Sequence, residues 1–152
     1  MRATAQQIVK KHLTEPNDVT ARTYYSLHGN RETDDKFGKQ YWPGLTGDLT
    51  GTTLVDFDAS DCWIDEVDFS RARFTGQITN FSGTYFSASP KFDQAKFTIR
   101  ADFSHCYFNS GASFQHTLFA AGASFREAYF TGPFSHVGVH DSAMDTTGLR
   151  NY

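Results

Sequence analysis

The feature that most constrains this chain is the spacing of its phenylalanines. From residue 69 onward Phe recurs at positions 69, 74, 81, 86, 92, 97, 103, 108, 114, 119, 125 and 130, at intervals of 5, 7, 5, 6, 5, 6, 5, 6, 5, 6 and 5. A helix places its apolar residues three and four apart, and a half-buried strand places them two apart, so neither element generates this series. Alternating fives and sixes define an internal repeat of 11 residues, and such periodicity marks a chain built by stacking copies of one small unit. The composition agrees: 15 Phe and 7 Tyr in 152 residues make a core of aromatic rings rather than of Leu, Ile and Val.

The unit is plain in Ala101-Asp102-Phe103-Ser104-His105, followed by Cys106-Tyr107-Phe108-Asn109-Ser110, then Gly111 as a spacer, then Ala112-Ser113-Phe114. The residue two before the Phe is small in most copies, as at Ala72, Thr79, Thr84, Ala95, Ala101, Cys106, Ala112, Thr117, Ala123 and Ala128. Val67 and Pro90 fill that place in the other two. Over residues 45–134 this pattern resembles the pentapeptide repeat family, whose unit runs small residue, polar residue, Leu or Phe, then two polar or small residues. The resemblance implies an all-β fold, a right-handed quadrilateral β-helix in which each pentapeptide forms one side and four make a coil. It places the central Phe and the small residue inside. This chain departs from the family's continuous frame by one residue at Ser89, Arg100, Gly111 and Gly122 and by two at Gln77-Ile78, which reads as widened corners. Four units then advance 22 residues, so Phe81, Phe103 and Phe125 are expected to stack, as are Phe86, Phe108 and Phe130. About four coils result.

A solenoid so short leaves ring faces and backbone edges bare at its ends. Residues 1–44 are expected to form a helical and irregular N-terminal cap. Thr4 and Gln7 make a capping box, Ala5, Ile8, Val9, His12 and Leu13 follow helical spacing, and Pro16 stops the helix. A second helix is expected between Asn17 and Gly29, and Trp42 needs a surface to cover. Residues 135–152 are expected to cap the other end or to make a homodimer contact, and the first coil begins less regularly with Leu45, Leu49, Leu54 and Phe57.

Charge and cysteine content narrow the function classes. The formal charge is -3, with 7 Lys/Arg against 5 Asp/Glu in residues 1–44 and 6 against 10 in residues 45–134. Neither part is the polybasic surface that nucleic acid requires. Cys62 and Cys106 fall at repeat positions that take small side chains and read as reduced structural thiols. The first residues contain no secretory apolar stretch, and no run of 18 apolar residues spans a membrane, so the expected location is cytoplasmic.

If the central residues point inward, the residues before them point outward. One face then carries Tyr85, Tyr107 and Tyr129, and its neighbours carry Arg73, Lys96 and Leu118 or Asn80, Asp102 and Ser124. A tyrosine stripe bordered by charge suits a protein partner, because Tyr offers a large apolar body with a polar tip. The same rings also stabilise adjacent strands as neighbours on a sheet.

Candidate chemistry is sparse. His105 and His116 fall on different sides of a coil. His136 and His140 lack further ligands, and Gly138 between them disfavours a shared helix, so no metal is expected. Asp102, Ser104 and His105 are too close in sequence for a triad, since alternate side chains on a strand diverge. Asp61, Asp65, Glu66 and Asp68 read as a solvated acidic edge. No catalytic residue and no cofactor is expected. The leading reading is a structural or protein-interaction module working through a solenoid face or its ends. The resemblance adds a rival, mimicry of duplex DNA to modulate DNA gyrase, against which stand the short solenoid and the lack of a regular acidic row in Asp56, Asp61, Asp68 and Asp102. A third class, an enzyme or small-molecule binder, would need a pocket near Tyr24, Tyr25, His28 and Trp42.

Overall fold

Each Phe-centred unit is too short for more than two or three residues of strand, and the computed structural model, which describes residues 46–141 and 143–151, shows how such fragments become stable. The expected helices, Trp42 and the residues around them lie outside the described residues.

Coil 1 contains β1 (Thr46–Asp48), β2 (Thr53–Asp58) and β3 (Trp63–Ile64), and coil 2 contains β4 (Glu66–Asp68), β5 (Arg73–Asn80) and β6 (Tyr85–Phe86). Coil 3 has β7 (Lys96–Phe97), β8 (Ala101–Asp102) and β9 (Tyr107–Phe108), with Lys91 bridging on its first side. Coil 4 has β10 (Ala112–Ser113), β11 (Leu118–Phe119), β12 (Ala123–Ser124) and β13 (Tyr129–Phe130). Coil 5 has β14 (Phe134–Ser135), β15 (His140–Asp141), β16 (Met144–Asp145) and β17 (Arg150–Asn151). Every pairing is parallel and joins one coil to the next. The fold is thus an all-β, four-sided parallel solenoid with no helix among the described residues.

The core is four columns of rings. Phe81 stacks on Phe103 at 4.8 Å and 8°, and Phe103 on Phe125 at 4.9 Å and 5°. Phe86 stacks on Phe108 at 5.0 Å, and Phe108 on Phe130 at 4.4 Å, as the 22-residue advance requires. The columns of Phe69, Phe92 and Phe114 and of Phe74, Phe97 and Phe119 do the same, and rings of different columns meet edge to face, as Phe97 with Phe103 and Phe108 with Phe114. All twelve of these rings are fully buried. The small residues beside them are buried too, because a larger Cβ substituent would push the ring from the axis; Ala72, Ala95, Ala101, Ala123 and Ala128 expose nothing.

Two kinds of corner close each coil. After the first and third sides the chain makes a four-residue turn, as in Ala72 N–H to Phe69 C=O at 2.9 Å and Ala128 N–H to Phe125 C=O at 3.0 Å. These turns put a residue at positive φ, and several are not glycine: Asp61, Arg71, Gln94, His105, His116 and Glu127 lie between 54° and 59°. The strain is offset by the aspartates, Asn80 and Ser124 that precede the ring, which accept the turn's amide; Asp102 takes Ser104 N–H at 2.9 Å and Asp68 takes Ser70 N–H at 2.8 Å. After the second and fourth sides the corner is wider by the spacer residue. Gly111 and Gly122 sit there at φ 81° and 84°, and a Cβ on either would overlap a carbonyl oxygen of the next coil, Pro133 or Ala143. The Gln77-Ile78 insertion likewise sits at such a corner, held by Asp56 accepting Gln77 N–H at 2.6 Å.

The parallel pairing runs on past the expected end of the repeat at residue 134. Phe134 pairs with Ala112, Met144 with Ala123 and Arg150 with Tyr129, so residues 134–141 and 143–151 form a fifth coil. Its pattern is inverted. Bulky Phe134, Val139, Met144 and Leu149 occupy the places that are small in earlier coils, while His136, Asp141, Thr146 and Asn151 replace the Phe. Phe134 lies within 5.7 Å of Phe114, 5.5 Å of Phe125 and 4.6 Å of Phe130, so one ring covers the ends of three columns. Of the polar replacements His136, Thr146 and Asn151 are exposed, as a terminal repeat needs, while Asp141 is half-buried. This inversion is why the fifth coil has no signature in the Phe spacing.

Candidate interaction surface

Side chains that precede the ring positions project from the solenoid, and the corner type decides their character. On the first and third sides these are mostly short acids, Asn and Ser engaged in their own turns. The second and fourth sides have no such turn to satisfy, and there the outward residues are long.

On the fourth side Tyr85, Tyr107 and Tyr129 are paired in register. Their rings stack at 5.2 Å and 26° and at 4.7 Å and 17°. Trp63 pairs with Tyr85, its ring 4.3 Å away and tilted, so the ladder has four aromatic rungs. Sequence reasoning missed Trp63 because the first coil carries Ile64 where a Phe would mark the unit; counting 22 residues back from Tyr85 would have found it. The indole N–H donates to Asp65 Oδ1 at 2.8 Å, and Asp65 also accepts from Ser87 Oγ. Tyr85 is buried, with 7% exposure, and Tyr107 and Tyr129 are half-buried, so the ladder is less open than an outward stripe would be. In such a ladder the ring faces are turned to one another, which leaves edges and hydroxyls for other contacts and little face for stacking a base.

On the second side Arg73, Lys96, Leu118 and His140 form one column. All four are exposed, Leu118 to 39%, and none of them has an ion pair among the described residues. His140 was not placed there from the sequence, although it follows Leu118 by one coil advance. A shallow hollow of about 420 Å³ opens beside this column, lined by Leu118, Phe119, Ala120, Val139, His140 and Asp141. Oδ2 of Asp141 is buried and has no hydrogen-bond partner among the described residues.

The remaining titratable groups are accounted for locally. His105 Nδ1 lies 3.5 Å from Glu127 Oε2, at the corner between the third and fourth sides, whereas His116 sits at the corner after the first. Ser104 Oγ meets Ser124 Oγ and its amide meets Asp102, so Asp102, Ser104 and His105 form a turn and not a relay. The His136 ring stacks on Phe134 at 4.9 Å, a side away from His140. Asp58, Asp102 and Asp145 do share a column, more order than the sequence suggested, but Asn80 and Ser124 alternate with them. That is one carboxylate per roughly 9.6 Å at ordinary strand spacing, against one charge per about 1.7 Å of duplex DNA. Cys62 and Cys106 are both buried and not joined by a disulfide, and Thr84 occupies the rung between them. Burial pushes the Cys106 thiol well above its ordinary pKa, and its Sγ donates to Phe81 C=O at 2.9 Å, so it is a structural donor and not a nucleophile.

No helix among the described residues is long and apolar enough to cross a membrane. No protein-family model, no curated protein and no solved structure matches the chain.

Proposed function

We propose that this chain is a non-enzymatic structural or interaction module of the pentapeptide-repeat kind, and that it binds a protein partner through its second or fourth side. The observation that carries this reading is the sorting of side chains by corner type. Two sides keep their polar groups for their own turns, while two present long residues in register: Tyr85, Tyr107 and Tyr129 on one, and Arg73, Lys96 and Leu118 on the other. Rows of identical spacing on a rigid scaffold are pre-organised for contact, which lowers the ordering entropy that association must overcome. A mimic of duplex DNA gains no support, given the sparse carboxylate column. Two buried cysteines that no disulfide joins suit a reducing compartment, the cytoplasm. The solenoid ends remain a second surface, suited to another copy of the chain.

The test is affinity capture with three folded proteins: native, Tyr107→Ser with Tyr129→Ser, and Arg73→Ser with Lys96→Ser and Leu118→Ser. A protein retained by the native chain and lost from one of the two variants supports the reading and identifies the side. Retention of nothing by the native chain, or the same capture by all three, refutes binding through these sides.

A further inference from the structure

The second side has a more specific character, resting on the partner-binding reading above. We propose that it docks an extended acidic segment of a partner protein, lying along the solenoid axis, whose carboxylates meet Arg73 and Lys96 and whose tyrosine enters the hollow beside Leu118 and His140. Three observations converge there. The first is charge: two permanent cations on successive rungs lack an ion pair among the described residues, while the third side, the next around the coil, carries Asp58, Asp102 and Asp145. An acidic strand is drawn to the second side and repelled from the third. The second is apolar exposure. Leu118 at 39% and Ile78 at 50%, the latter in the corner that leaves this side, are two of three large apolar residues exposed among those described. The third is the hollow itself, whose walls include Leu118, Phe119 and Val139. A flat ring with a polar tip suits such an open place, its face against the apolar wall and its hydroxyl toward solvent, and Tyr has both.

The dimensions agree. Arg73 and His140 are separated by three rungs, about 14 Å at the spacing of paired strands. Residues i and i+4 of an extended chain are about 13 Å apart and point to the same face. Glutamates at i and i+2 therefore reach Arg73 and Lys96 through those long side chains when a tyrosine at i+4 sits in the hollow.

The probe is a fluorescein-labelled synthetic peptide with Glu, Glu and Tyr at i, i+2 and i+4 in a Gly/Ser background, titrated with the full chain and followed by anisotropy at low and at physiological salt. Exposed ion pairs contribute about 0.2–1 kcal/mol each, so Arg73→Ser with Lys96→Ser is expected to weaken binding by about 2- to 30-fold and to remove most of its salt dependence. Ser in place of the peptide's Tyr is expected to weaken it by about tenfold, because the ring's apolar contact with Leu118 and Val139 is lost. Leu118→Glu on the protein is expected to abolish it. Absence of binding by the native chain, equal binding of a peptide with Lys at both Glu positions, or an Arg73→Ser, Lys96→Ser variant that binds as native would each overturn the inference. Because the peptide experiment is independent of partner capture, a captured partner with no peptide binding removes this inference and leaves the interaction reading standing.

Discussion

Phe103→Ala puts the stacked core to its strictest test. Phe103 is fully buried in the central coil, between Phe81 at 4.8 Å and Phe125 at 4.9 Å, with Phe92, Phe97, Phe114 and Phe119 around its edge. Removing the ring forfeits about 1.5–3 kcal/mol of transfer free energy. Two stacked neighbours lose about 0.5–1.5 kcal/mol each. The sum of about 2.5–6 kcal/mol brackets the cost of about 3–5 kcal/mol typical of Phe→Ala in a core. A fold of this size is stable by only about 5–15 kcal/mol, so one substitution removes a large share. Phe134→Ala is the internal control, since that ring is half-buried in the last coil and its loss should cost about 1–1.5 kcal/mol. Urea unfolding followed by circular dichroism gives both values from midpoint and slope. Equal costs for the two, or a cost below about 1 kcal/mol at Phe103, would refute a continuous ring column.

Hydroxyls at the small-residue position separate by whether they find an acceptor. Thr117 Oγ1 donates to Phe92 C=O at 2.7 Å while Thr79 Oγ1 is buried without a partner among the described residues, so Thr117→Val should lose about 1 kcal/mol and Thr79→Val should gain up to as much in the same urea assay. At the corners, Gln94 is exposed at φ 58°, and Gln94→Gly should stabilise by up to about 1 kcal/mol as left-handed strain is relieved against the greater freedom of the unfolded chain. Gly122→Ala, whose Cβ meets Ala143 C=O, should destabilise by more than about 1 kcal/mol. Thr147, through its amide first and its hydroxyl second, holds Asp145 below the ordinary carboxylate pKa. A depressed folded pKa means the contribution is complete above the ordinary value of 3.8 and is lost as pH falls through the folded one, so hydrogen-exchange protection at Thr147, taken relative to the intrinsic rate at each pH, should fall below about pH 4 before protection in the central coils does.

What could be read from the sequence was whatever the stacked rings impose. The 11-residue repeat and the spacers at Gly111 and Gly122 follow from spacing, and the resemblance to pentapeptide repeats implied the inward Phe and small residues and four units to a coil; together these set the 22-residue advance and the shared columns of Tyr85, Tyr107 and Tyr129 or Arg73, Lys96 and Leu118. Coils that depart from Phe were harder. The fifth coil exchanges bulky and small positions to close the core, and its pairing through Arg150 and Asn151 left no interval to count. Trp63 was hidden by Ile64 for the same reason. Burial of Tyr85 was not legible either, because the sequence gives the direction of a side chain and not what lies over it.

The register of the coils is the claim on which both surfaces depend, and cross-linking tests it directly. Lys96 and Leu118 are exposed neighbours on successive rungs, while Tyr107, halfway between them in sequence, belongs to the fourth side. Cysteines placed at 96 and 118 by Lys96→Cys and Leu118→Cys should be joined within one chain by a short bifunctional thiol reagent, and cysteines placed by Lys96→Cys and Tyr107→Cys should not. A link in the second pair, or none in the first, would contradict a coil of four sides and 22 residues.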